Sequence, residues 1–77
     1  MTTVTLIGRS HKGFKAIRDF GNVWQVWAGP VEKILFNPGS GPWLRIAPLN
    51  QPHDHEEACW VHSLSDPDFV VKVNPTT

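Results

Sequence analysis

The sequence predicts an α+β domain, mainly β, in which one short helix accompanies a five- to six-stranded antiparallel sheet, strongly curved or closed into a small open barrel. Three observations carry this expectation. Short runs of alternating apolar and polar residues recur along the chain. Clusters of glycine and proline, Gly29-Pro30 and Pro38-Gly39-Ser40-Gly41-Pro42, punctuate them. Four tryptophans stand among only 77 residues. A chain of this length reads as a single compact domain, residues 1–77, near the lower limit at which one core holds without disulfides or metal. Each tryptophan can bury about 200 Å², so at least two of the four are needed inside.

Residues 3–8 open the chain as a β-branched alternating run, with Val4 and Leu6 on one face and Thr5 and Ile7 on the other. Ser10 then offers an N-cap to a short helix over residues 10–20, whose stripe of Phe14, Ala16, Ile17 and Phe20 ends at Gly21-Asn22. Gly13 weakens the first turn of that helix. Residues 22–28 alternate as a second strand, placing Trp24 with Val26 and Trp27 with Val23 and Gln25. Gly29-Pro30 is expected to turn the chain into a paired strand over residues 31–37, and the turn cluster of residues 38–42 leads into another over residues 43–48. Residues 50–57 form one long polar excursion. Strands over residues 58–64 and 69–73 complete the set around a Ser65-Asp66-Pro67-Asp68 turn, and residues 74–77 are expected to fray.

Net charge is zero, yet it is unevenly placed. Through Arg45 six basic residues (Arg9, Lys12, Lys15, Arg18, Lys33, Arg45) face Asp19 and Glu32, while beyond it only Lys72 faces Asp54, Glu56, Glu57, Asp66 and Asp68. A basic and an acidic pole would suit steering toward a charged partner. On the helix, Lys12, Lys15 and Arg18 recur at three-residue spacing and share its solvent side, the main electropositive feature. Cys59 is the only cysteine, which excludes an internal disulfide and fits a reducing compartment. The start of the chain lacks signal-peptide character and no run reaches 18 apolar residues, so the reading is a cytoplasmic protein with no membrane association.

Metal-ligand residue types cluster once, in His53, His55, Cys59 and His62. Cys59 and His62 stand three apart, so a regular strand sends them to opposite faces, and no bound metal is expected. Pairings of His62 with Asp66 or Asp68, or of Cys59 with a histidine, lack the cleft and oxyanion site that catalysis requires. The Pro38–Pro42 cluster lacks the lysine and helix of a phosphate loop. No catalytic residue, cofactor or enzymatic activity is therefore assigned.

Binding remains the reading. Trp24 and Trp60 are assigned to the core from their apolar neighbours, whereas Trp27 and Trp43, interleaved with Lys33 and Arg45, make a candidate contact face. The overall make-up, a very small charge-polarised β-rich domain with no active site, is similar to that of many small proteins of phages and mobile elements, among them inhibitors of host defence such as anti-CRISPR proteins. Charge polarity joined to exposed aromatics points to a partner that is a protein or nucleoprotein. The expectation is a non-enzymatic module that occupies a protein surface as inhibitor or adaptor, with Trp27 or Trp43 as anchor and Arg9, Lys12, Lys15 and Arg18 as a steering rim. A nucleic-acid binder using the same basic helix and exposed rings is the alternative, disfavoured by the zero net charge. A small metal-binding domain through the His53–His62 segment is the third.

Overall fold

The computed structural model describes residues 2–35, 39–52 and 54–75. Its elements run β1 (Thr3–Gly8), α1 (His11–Phe20), β2 (Val23–Val31), β3 (Trp43–Pro48), β4 (Cys59–His62) and β5 (Phe69–Val73). The strands form one antiparallel sheet in the order β4-β3-β2-β1-β5, curled into a half-barrel. This is the mainly-β α+β fold that the alternating runs predict, with five strands.

Alternation places the core. Val4 and Leu6 of β1, Trp24 of β2, Leu44 and Ile46 of β3, Val61 of β4 and Phe69 of β5 bury one continuous cluster, with Ala16, Ile17 and Phe20 of α1 laid against it. Trp24 retains only 1% of its exposure; its ring meets Phe20 edge-on, and its indole N–H donates to the Gly21 carbonyl at 2.9 Å. The polar end of the ring is thus satisfied while its face fills the barrel.

Helix α1 begins where the sequence places it. Ser10 has extended backbone angles and its hydroxyl accepts from the Gly13 N–H, a normal N-cap. Gly21 ends the helix at φ 82°, a conformation glycine reaches without strain, and its N–H returns to the Ile17 carbonyl. Gly13, a poor helix former, has a tertiary reason to be there. It is buried against the β4–β5 connection, and a Cβ would fall on the Asp68 carbonyl oxygen. The helix can lie this close to the loop only without a side chain at that position. Phe14 departs from the expected stripe: it is 60% exposed and lies across Gly8, outside the core.

The largest difference from the sequence reading concerns Gly29-Pro30. The chain does not turn there; β2 continues to Val31 and stays paired with β3, with register shifts between Val26 and Ala28 and again between Ala28 and Val31. Bulges are where a strand absorbs glycine and proline. Gly29 has φ 103° and approaches β3 so closely that a Cβ would meet the Trp43 carbonyl. Residues 31–37 are accordingly not the expected strand: residues 32–35 form a bend, an isolated bridge and a turn, and 36 and 37 lie outside the described residues. The reversal into β3 is closed by the Gly41 N–H on the Glu32 carbonyl at 2.6 Å.

At the other end, Asn74 is anchored, against the expectation of fraying. Its N–H donates to the Thr3 carbonyl, and its side-chain amide accepts from the Thr5 hydroxyl and donates to that of Thr3.

Candidate functional site

Contacts at both of its ends hold α1 across the mouth of the half-barrel. At its N-terminus the Ser10 hydroxyl donates to the Asp68 carboxylate at 2.6 Å, and Arg9 Nη1 donates to the Asp66 carbonyl at 2.9 Å. At its C-terminus Phe20 meets the His55 ring edge-on, with centroids 5.7 Å apart. His55 Nδ1 in turn accepts from the Glu57 N–H at 3.1 Å, which fixes the acidic segment beside that ring. Between these two ties runs a groove of about 490 Å³.

Lys12, Lys15 and Ala16 line the groove from α1, Glu56, Glu57 and Trp60 from β4 and the segment before it, and Trp24 and Phe69 from the core beneath. The basic and acidic halves of the sequence therefore share one groove. Neither lysine makes an ion pair among the described residues, whereas Arg18 is paired with Asp19 at 3.2 Å.

Asp66 holds the floor in place, a role that its sequence position in a turn, or a pairing with His62, did not predict. Its carboxylate is buried, 6% exposed, and accepts three backbone N–H groups: His62 on one oxygen, Asp68 and Phe69 on the other. One side chain thus stitches the end of β4 to the start of β5. The signal was present in Ser65-Asp66-Pro67-Asp68, since an aspartate before a strand commonly caps the amides that follow it. Glu56, Glu57 and Phe20 were missed as groove residues because nothing local in sequence relates them to α1 or to one another.

Of the expected contact residues Trp27, Lys33, Trp43 and Arg45, the structure leaves Trp27 and Lys33 exposed. Trp43 is buried, its indole N–H donating to the Gly39 carbonyl at 3.1 Å and its ring meeting His62 edge-on. It belongs to the interior because both faces of β3 are covered, with Leu44 and Ile46 on one and Trp43 and Ala47 on the other. Lys33 is exposed in the bend after β2, and Arg45 is half-buried on β3. Trp27 alone of the two expected anchors is exposed, at 42%, and it borders a second, apolar hollow of about 450 Å³ with Val26, Pro30, Leu44 and Val73. Trp60, expected in the core, is half-buried in the groove wall. Its neighbours Cys59 and Val61 face the core, and the period of two sends Trp60 the other way.

His53 lies outside the described residues. His62 has both ring nitrogens engaged: Nδ1 accepts from the Leu64 and Ser65 N–H groups, so Nε2 carries the proton and donates to the Ser40 carbonyl at 2.9 Å. Cys59 packs against the core instead, on the other face of β4. Among the described residues no three His, Cys, Asp or Glu side chains are grouped to hold a metal ion. Burial, reinforced by the Asp66 charge, pushes the Cys59 thiol up from 9.0 to about 11. Iodoacetamide should therefore alkylate the native thiol slowly at pH 8, accelerating toward pH 11, while the urea-unfolded chain accelerates around pH 9. Equal rates for the two at pH 8 would contradict this picture.

Among the described residues no helix is long and apolar enough to cross a membrane. No family model, no curated protein and no solved structure matches the chain.

Proposed function

We propose that this domain is a non-enzymatic binding module that occupies a protein surface, acting as a small inhibitor or adaptor of the kind found in phages and mobile elements. The observation that carries the reading is the groove in which Lys12 and Lys15 stand with Glu56 and Glu57 beside the half-buried rings of Phe20 and Trp60. Protein surfaces present charges of both signs around apolar anchors, and such a groove complements them. A polyanion gains from the lysines and is opposed by the glutamates of the same groove, which weighs against DNA or RNA as the ligand. Trp27 supplies an exposed aromatic contact outside the groove, of the type that dominates residence time at interfaces.

The test begins with capture of partners from the native host, followed by reconstitution with the purified partner. Reversing Lys12 and Lys15 to glutamate should slow association several-fold and change its salt dependence, with a smaller effect on dissociation. Trp27→Ala should mainly speed dissociation, costing on the order of 2 kcal/mol if the ring is a hot spot. Oligonucleotide binding is measured in parallel. Micromolar affinity for DNA or RNA at physiological salt, falling steeply with added salt and abolished by the lysine reversal, would replace this reading with nucleic-acid binding.

A further inference from the structure

The geometry points to a specific mode of engagement: an extended segment of the protein partner adds as a strand to the outer edge of β4, within the groove. This inference rests on the protein-binding reading and names the kind of partner segment that the groove takes.

The hydrogen-bonding pattern of β4 supplies the first argument. β4 pairs on one side only, with β3, in a register that sets Trp43 opposite His62 and Arg45 opposite Trp60. The Ser63 N–H donates to the Pro42 carbonyl, so the pair 42/63 is a hydrogen-bonded one. In an antiparallel ladder such pairs alternate with non-bonded ones. Leu44 with Val61 and Ile46 with Cys59 therefore exchange hydrogen bonds, and the backbone groups of Trp60 and His62 turn to the outer edge. The His62 N–H is taken by the Asp66 carboxylate. The N–H and C=O of Trp60 are left facing outward, without a partner among the described residues.

The second argument is what surrounds that edge. Sheet edges open to pairing are usually blunted by a lysine, a proline or a bulge. β4 reads Cys-Trp-Val-His and carries none of the three; it is protected by its four-residue length and by the Asp66 loop on the His62 N–H, which leaves the open part of the edge at Trp60, in the groove wall. Its volume of about 490 Å³ falls within the range of about 300–1,000 Å³ typical of ligand sites. A strand laid there gains backbone bonds from Trp60 and places alternate side chains against the half-buried Phe20 and Trp60 of the groove walls, the usual division between affinity and specificity in strand addition. Charge sets the remaining requirement. The segment carries a lysine or arginine where it passes Glu56 and Glu57, and an aspartate or glutamate where it passes Lys12 and Lys15.

The experiment uses the intact domain and peptides selected on it from a random dodecapeptide display library. Selected peptides should carry both signs of charge, and N-methylation of successive peptide amides should weaken binding tenfold or more at every second position only. Trp60 amide hydrogen exchange should slow on binding. Trp60→Pro removes the outward N–H without touching the ladder to β3, and Trp60→Val keeps it, so the proline variant should bind at least tenfold more weakly than the valine variant. The N-methyl series needs only the wild-type protein, so it decides the question even if the proline variant does not fold. Failure to select any binding peptide, N-methyl effects without a period of two, or a Trp60 amide that exchanges as fast as in the free domain would overturn strand addition. A protein partner that binds Trp60→Pro and Trp60→Val equally, yet associates slowly with the Lys12/Lys15 reversal, would refute the strand mode alone and leave the protein-binding reading intact.

Discussion

Trp24→Ala is expected to lower the urea midpoint by more than half and to leave up to about half of the protein unfolded at 25 °C. The ring is the largest fully buried side chain among the described residues, and it touches Phe20 and Phe69. Truncating such a residue costs about 3–5 kcal/mol. A domain of this size has a total stability toward the lower end of about 5–15 kcal/mol, so that loss leaves about 0–2 kcal/mol and unfolds up to about half of the population. Trp24→Phe should retain most of the apolar contact and lose the hydrogen bond to Gly21, costing about 1–2 kcal/mol. Urea titration followed by circular dichroism distinguishes the two. A Trp24→Ala protein with an unchanged midpoint would mean that the barrel interior has been assigned to the wrong face of the sheet.

Asp66→Ala is expected to be nearly as damaging although it removes a small polar group. Three backbone N–H groups lose their acceptor at a site with little access to water. Each orphaned donor costs about 1–3 kcal/mol, so about 3 kcal/mol or more should be lost in all. Asp66→Asn keeps one acceptor oxygen and turns an NH₂ toward backbone donors, and its cost should fall between alanine and wild type. Hydrogen exchange locates the effect: the amides of His62, Asp68 and Phe69 should lose protection in both variants before the rest of the sheet does. Uniform loss across all strands would instead mean that Asp66 acts through global stability alone.

How much of this was written in the chain depends on the range of the interaction. β1, α1 and β5 were legible because each is specified locally, by the Val4 and Leu6 alternation, by the Ser10 cap with Gly21, and by the apolar period of Phe69 and Val71. The hairpin expected at Gly29-Pro30 was wrong because the same two residues that make a turn also make a bulge, and only the partner strand decides between them. Trp43 and Trp60 exchanged roles for a related reason. Alternation states which side chains share a face and leaves open which face is covered. The charge asymmetry was visible, but where its two halves would lie relative to each other was not. Contacts between residues far apart in sequence, Phe20 with His55 and Ser10 with Asp68, bring the two halves face to face across one groove.

The pairing of β1 with β5 has a consequence for how the chain acquires its structure. Thr5 and Asn74 are bonded although 69 positions separate them, and β1 is an interior strand that is incomplete without its distal neighbour. Closing a loop of that length is an entropic cost met before the contact returns anything, which places the domain among slower-folding topologies of its size. During synthesis the residues through Asn74 must have left the ribosome before β1 can be flanked on both sides. Until then β1 can pair with β2 alone and its other edge stays open, the state most exposed to misassociation.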